Sequence, residues 1–379
     1  MPSDVARLFQ PIKVGNMQLS HRIVLAPLTR HRGTARTHMP TLPIMRDYYE
    51  QRASTPGSLL ISEGTMPALK TGGYSVCIPG IWNDEQIAAW KEIVNAVHAK
   101  GSYIFMQIWV IGRTADPAML ASEDPSSRLI SSSDTRMSAK LDQPIHPLTA
   151  DETREWIQFY ATAADNAVHK AGFDGVEVHG AHGYLPVQFL EDGINTRTDE
   201  YGGSVENRAR FVLEVVDAIV AKVGAERAAI RFSPWARFMD MGMPDPVPTY
   251  SYVVSQLAQR HPNLAYIHVV EPRVSGVYDR DASVIGAHES NDFLRKIWAP
   301  RPFISAGGFV RETAVQSAEA HENELVAFGR WYISNPDLPR RLRDDIPLSE
   351  YDRSSFYTED DKSGRGYTDY PFAAETNLL

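Results

Sequence analysis

The chain has 379 residues, a formal net charge of −9, 43% hydrophobic and 22% charged residues. That balance fits an ordinary soluble globular protein and supplies neither a basic footprint for nucleic acid nor a polybasic membrane patch. One cysteine, Cys77, excludes an internal disulfide and suits a reducing compartment. No run reaches the ~18 apolar residues of a membrane span. The start, MPSDVARLFQPIKVG, lacks the apolar core of a signal peptide, and the end, TNLL, is not a Ser-Lys-Leu address, so the cytoplasm is expected.

In chain order, residues 12–22 read as a small hairpin around Gly15-Asn16, and Ile23–Ala26 as a buried strand ending at Pro27. A helix over Thr41–Arg52 and a strand over Leu59–Glu63 follow. Asn83 caps an amphipathic helix with Ile87, Trp90, Val94 and Val97 on one face. Tyr103–Trp109 is the third strand. The polar segment from Thr114 to Pro147 is long for a connection and is expected to cover a functional site. Glu152–Ala171 is helical, Gly175–His179 a short strand, and Ser204 caps the helix carrying Phe211, Val215, Val216, Ile219 and Val223. The alternation continues with strands at Ala228–Phe232, Leu264–Val270, Phe303–Ser305 and Leu325–Phe328. Helices follow them at Tyr250–Arg260, Asn291–Trp298, Arg311–Ala320 and Asn335–Asp344.

Eight strands, each followed by a helix, predict a single (β/α)8 TIM barrel with an N-terminal hairpin, extended βα loops and an irregular C-terminal tail. The expected domain is one unit over 1–379, with its core at about 23–345 and its tail at 346–379. A doubly wound sheet is the rival, but no strand runs into a Gly-x-Gly-x-x-Gly turn.

The fourth strand runs into HGAHGY, which concentrates His179, His182 and Tyr184 where a strand ends and a loop begins. Barrels build their sites at that edge. A metal centre is one reading of the two histidines, but no third ligand stands at suitable spacing, and Glu177, preceding His179 on the strand, is expected on the opposite side. A structural role, with one ring bonded to backbone, is another. The third has both imidazole N–H groups polarising one substrate carbonyl. Tyr184, protonated at pH 7, is a general acid or a half-buried aromatic.

Strand seven ends in ISAGGF and strand eight in AFGRWYISNPDLP. Gly307, Gly308, Gly329 and Arg330 thereby fall on adjacent strand ends, a common phosphate site in barrels. The plain alternative has the glycines turning the chain and Arg330 pairing with a surface carboxylate. Arg231, inside the apolar strand AIRFSPW, needs a buried partner or an anionic ring system. Gln107 has both donors and an acceptor for a heterocycle edge, and Thr29, after Pro27 and Leu28, has a hydroxyl for a carbonyl. Taken singly, each has an ordinary packing or capping explanation.

HGAHGYLPVQFL followed by NTRTDEYGGSVENRARF resembles the central signature of the old yellow enzymes, FMN-dependent reductases on a TIM barrel. APLTR, SEGT, QIWVIGR, RFSP, AGGF and FGRWYISNPDL match further motifs of that family, and YDRSSFY and GYTDYPF resemble its fungal branch. The resemblance implies non-covalent FMN, with Thr29 at the flavin C4 carbonyl, Gln107 at the pyrimidine edge and Arg231 on the N1 side. Pro27, Leu28 and Gly64 would also contact the flavin, His179 would touch both flavin and substrate, and Gly307, Gly308, Gly329 and Arg330 would hold the phosphate. It further implies NADPH or NADH as reductant and a small enone or enal as substrate. Its carbonyl would rest on His179 and His182, hydride would pass from flavin N5 to the β-carbon, and Tyr184 would protonate the α-carbon. Tyr74, Trp109, Phe238 and Tyr357 are expected pocket walls. No metal, nucleic acid or membrane is expected, and the protein would be a monomer or homodimer. A flavin-containing isomerase or oxidase, and a flavin-binding protein without turnover, are the competing classes.

Overall fold

Short apolar runs buried on both faces are the mark of parallel strands enclosed by helices, and eight of them close into a ring here. A computed structural model describes residues 5–374; residues 1–4 and 375–379, which include the TNLL end, lie outside the described residues. The strands are β1 (Ile23–Leu25), β2 (Leu59–Thr65), β3 (Tyr103–Ile108), β4 (Gly175–Gly180), β5 (Ala228–Phe232), β6 (Tyr266–Val270), β7 (Phe303–Ala306) and β8 (Glu324–Phe328). They form a closed barrel in chain order, β8 pairing with β1. The main covering helices are α1 (Ile44–Arg52), α2 (Asp84–Ala99), α3 (Ala150–Asp165), α4 (Val205–Val223), α5 (Val247–Arg260), α6 (Asp292–Trp298), α7 (Arg311–Ala320) and α8 (Leu338–Arg343).

Helix starts follow local chemistry. The Asn83 side chain accepts from Gln86 N, Ser204 from Asn207 N, and Thr149 forms a reciprocal capping box with Glu152. The apolar stripes of these helices pack on the outward strand residues, so that Trp90, Ile93 and Val97 share a core with Ile104, Met106, Val176, Val178 and Ile230. The inward residues make a second core of Val24, Leu59, Ile61, Phe105, Ala229, Tyr266, Ile304 and Leu325. The hairpin Ile12–Val14/Met17–Leu19 plugs this core from the end at which the strands begin, contributing Ile12, Val14, Met17 and Leu19.

Strand parity corrects one expectation. Glu177 and His179 are two residues apart, and a period of two puts both on the same face. Both point into the barrel: Glu177 is fully buried against Gln107 and His268, and His179 lines the cavity above.

Three other differences have local causes. α1 begins at Ile44 rather than Thr41, with Pro43 at its N-cap position. The helix expected over Asn335–Asp344 starts later, as α8 at Leu338, after a separate short helix Arg330–Ser334; Pro336 has no N–H to continue a helix, and the Asn335 side chain bonds Trp331 O and the backbone of Ser349. The segment 114–147 holds a helix over Pro117–Glu123 and packs Leu120, Leu129 and Ile145 beneath Trp109 and Tyr184. It buttresses the site, and the cavity is covered instead by residues from 273–285 and by Arg353, Phe356 and Tyr357.

The irregular tail is tied down by buried arginines. Arg30 donates to Phe356 O (2.9 Å), Ser355 O (3.3 Å) and Gly366 O (2.7 Å). Arg52 donates to Ile333 O (2.6 Å), Tyr367 O (3.0 Å) and Tyr48 O (3.1 Å), with its guanidinium 3.7 Å from the Tyr48 ring centroid. Removing a guanidinium from water is costly, and here backbone carbonyls on the tail meet most of that cost, though Arg30 Nη1 and Arg52 Nε stay without partners. Arg52→Ala should therefore cost about 3 kcal/mol, read as a lower urea midpoint, and Arg52→Met should not restore it. An unchanged midpoint would show that the tail is held by other contacts.

Candidate active site

A cavity of about 590 Å³ opens at the C-terminal ends of the strands. Pro27, Leu28 and Thr29 line it from the end of β1, Gln107 and Trp109 from β3, and Arg231 from β5. His179, His182 and Tyr184 enter from β4 and its loop, and Gly307, Gly308, Gly329 and Arg330 from the ends of β7 and β8. Tyr74 and Tyr357 complete the mouth, 39% and 50% exposed.

Two expected residues stand elsewhere. A Cβ at Gly64 would lie 2.6 Å from the Trp109 ring, so this glycine makes room for the indole behind the cavity wall. Phe238 is half-buried behind His182, with ring centroids 6.4 Å apart, and does not line the cavity.

The turn after β4 aims the chemistry. His182 has φ 56° and Gly183 φ 85°, both left-handed, and the chain reverses there. The strained His182 is held by its backbone N–H, which donates to Ser233 Oγ at 2.9 Å. Buried Gln188 then locks the short helix Leu185–Leu190 in place. It donates to Gly183 O (2.7 Å) and Ile111 O (3.1 Å) and accepts from Arg113 N (3.1 Å) and Ser131 Oγ (2.9 Å). Nothing in the local sequence marks Gln188 for this role, because Ile111, Arg113 and Ser131 lie 57 or more residues away.

The imidazoles of His179 and His182 lie 5.9 Å apart, and among the described residues no group hydrogen-bonds either ring. His179 Nδ1 and His182 Nε2 are buried without a partner. Burial, reinforced by the Arg231 charge, holds both well below the ordinary histidine range. Each is thus neutral at pH 7 and carries one N–H donor. Tyr184 packs edge-on to His179 at 4.8 Å and to Trp109 at 4.9 Å, and burial pushes its phenol well up, keeping it protonated. Among the described residues no three His, Cys, Asp or Glu side chains are grouped to hold a metal ion.

The other end of the cavity is cationic. Gly307 (φ 116°) and Gly308 (φ 63°) turn the chain beside Arg273, whose Nε donates to Gly307 O at 2.6 Å. Arg330 lies at this end, but its fork is engaged by Asp279 through bonds of 2.8 and 2.6 Å. Arg273 and Arg353 also line this end. Asp279 comes from a small hairpin between β6 and α6, Val274–Ser275/Tyr278–Asp279. Gly276 between β-branched Val274 and Val277 was the available signal.

The neutral histidines leave a pH signature. As pH falls through 6.5 the unfolded chain takes up protons that the folded site refuses, so stability drops by up to about 1.4 kcal/mol per histidine per pH unit. A His179→Asn/His182→Asn variant should lose less stability than the native chain between pH 6.5 and 5, as measured by denaturant midpoints. Equal slopes would mean that the rings are protonated in the fold.

Residues 7–349 match the family model described as NADH:flavin oxidoreductase / NADH oxidase. The chain is 50% identical over 374 residues to chanoclavine-I aldehyde reductase fgaOx3 of Penicillium roqueforti (strain FM164), covering 98% of both proteins. It is 45% identical to the NADP-dependent oxidoreductase lnbE of Aspergillus flavus, covering 97% of each. The crystal structure of Old Yellow Enzyme from Pichia sp. AKU4542 superposes with a TM-score of 0.87 at 38% identity, over 98% of this chain and 95% of that one. With its closed eight-stranded barrel and a histidine pair at the end of the fourth strand, the chain belongs to the NADH:flavin oxidoreductase family and, within it, to the old yellow enzymes, FMN-dependent reductases.

Proposed function

We propose that this site reduces the C=C bond of a small α,β-unsaturated carbonyl compound, with NADPH or NADH as reductant and His179, His182 and Tyr184 dividing the work. The observation that carries this reading is the pair of neutral, unpartnered imidazoles beside a buried, protonated phenol on one cavity wall. Lone donors at that depth lack only an acceptor. The names of two relatives, an aldehyde reductase and an NADP-dependent oxidoreductase, support a carbonyl substrate and NADPH.

The chain's own groups fit FMN. Arg231 Nε is buried without a partner, the glycine turn at Gly307 and Gly308 leaves backbone room, and arginines gather at the same end. Gly307, Gly308, Gly329 and Arg330 would hold the phosphate, with Thr29, Gln107 and Arg231 around the ring. FMN, when bound, supplies the hydride that adds to the substrate's β-carbon. His179 and His182 hold the substrate carbonyl oxygen, draw electron density from the β-carbon and meet the negative charge that grows on that oxygen. Tyr184 then gives its proton to the α-carbon. Trp109, beside both His179 and Tyr184, and Tyr74, 5.0 Å from Trp109, limit the width of the acceptor. The whole chain acts as one FMN-binding unit, and a buried free Cys77 accords with a reducing cytoplasm. Among the described residues no helix is long and apolar enough to cross a membrane.

Tyr184→Phe keeps the ring and removes the acid. Turnover of a weakly activated enone should fall by roughly 10²–10⁴, while flavin reduction by NADPH stays near native. Acceptors whose anions pick up a proton from water should be spared. Equal slowing of both acceptor classes in single-turnover measurements would remove Tyr184 from this role, and retained activity without NADPH consumption would point to an isomerase.

Asp279 and a cofactor phosphate compete for one guanidinium fork. Arg330→Ala should weaken FMN about tenfold or more. Asp279→Ala, which ends a half-exposed pair worth up to ~1 kcal/mol, should tighten it about threefold to fivefold. Flavin fluorescence on serial dilution reads both. Weaker binding in Asp279→Ala would make the hairpin part of the cradle instead of a competitor.

A further inference from the structure

Beneath the cavity lies a carboxylate with no part in the chemistry described so far. Glu177 is fully buried on the inward face of β4, one step below His179. Its Oε1 accepts from Gln107 Nε2 at 2.7 Å and its Oε2 from His268 Nδ1 at 2.9 Å. Gln107 and Glu177 are register partners across β3 and β4, as are Arg231 and His268 across β5 and β6. The His268–Glu177 bond joins the two pairs, so the four side chains form one polar cluster at the cavity floor, with Gln107 and Arg231 facing the cavity and Glu177 and His268 behind them.

An ionised carboxylate has no donor. Gln107 must turn its NH₂ toward Glu177, so the orientation of its amide follows from chemistry. Its Oε1, for which no described residue supplies a donor, is left as a lone acceptor on a residue that lines the cavity. The pyrimidine edge of a flavin presents C2=O, N3–H and C4=O. A lone acceptor matches the N3–H; the reversed amide would match a carbonyl. Burial keeps His268 below the ordinary histidine range, so it is neutral, with its proton on Nδ1 facing Glu177. The cluster then holds one cation, Arg231, and one anion, Glu177, whose charge supports the buried guanidinium.

We propose that Glu177 is a positioning residue for the cofactor: it orients Gln107 to select flavin N3–H and offsets the field of Arg231 on the ring. This rests on the FMN-binding reading above. Removing the charge while keeping the shape frees the amide to reverse and leaves Arg231 uncompensated.

The test uses Glu177→Gln, the native chain and Gln107→Met, each loaded with FMN or with N3-methyl-FMN. The native protein should prefer FMN by roughly tenfold or more, the value of one hydrogen bond and the clash of one methyl. Glu177→Gln should reduce that preference to about threefold or less, and move the flavin midpoint potential to more positive values because reduced flavin is anionic. Gln107→Met should lose the preference alone and leave the potential closer to native; adding Glu177→Gln to it should shift the potential without changing the preference further. A Glu177 that merely supports the fold would lower thermal stability and leave preference and potential unmoved, which would overturn the proposal. If Glu177→Gln does not fold, full N3 preference in Gln107→Met overturns it equally. A native chain that binds neither flavin would refute the FMN-binding reading itself, a separate outcome.

Discussion

Burying charge in a barrel of apolar side chains is costly, and the upper half of this molecule is arranged around that cost. Below, the inward face is Val24, Ile61, Phe105, Ala229 and Ile304, closed off by the N-terminal hairpin. One layer up it changes to Gln107, Glu177, Arg231 and His268, all buried. A bare guanidinium or carboxylate at that depth would cost several kcal/mol. Here the bonds within the cluster converge on Glu177, and several donors and acceptors around it stay open. Gln107 gives its donor downward, His268 donates to Glu177, and Arg231 Nε and the two site histidines keep buried atoms without partners. The closed ring of eight parallel strands holds those open valences in place.

The same desolvation sets the chemistry. It keeps His179 and His182 neutral and Tyr184 protonated, which is the combination a carbonyl oxygen and a carbanionic carbon require. Loops then exploit a rigid base. The left-handed His182 and Gly183 reverse the chain, and Gln188 fastens the following helix to two other segments, at 111–113 and at Ser131. At the opposite end the covering elements are less buried: the 273–285 segment and the tail meet the solvent, and Asp279 there engages the Arg330 fork.

Most of the barrel was legible because eight apolar runs alternate with amphipathic helices whose caps, Asn83 and Ser204, are local signals. The cavity-lining set was legible for a different reason: strand-end residues cluster whatever the loops do, so Thr29, Gln107, His179, Arg231, Gly307 and Arg330 meet. Long-range contacts were not legible. Nothing near Arg52 announces Tyr367, and nothing near Arg330 announces Asp279. Nor does the sequence announce that Gly64 leaves the space the Trp109 indole fills. The polar 114–147 segment reads as a cover by composition, yet its few apolar residues, Leu120, Leu129 and Ile145, are what place it under the site. Glu177 was misplaced by a parity slip, which shows how much of a site rests on a period of two.

Reduction here needs electrons to pass from a nicotinamide, by way of FMN held in this cavity, to an enone. An anaerobic titration of the purified protein tests it most directly. The visible flavin spectrum should bleach with one equivalent of NADPH or NADH and return in full on adding one equivalent of 2-cyclohexenone, with FMN released on denaturation. A protein without flavin, or a bleached flavin that oxygen restores and the enone does not, would contradict it.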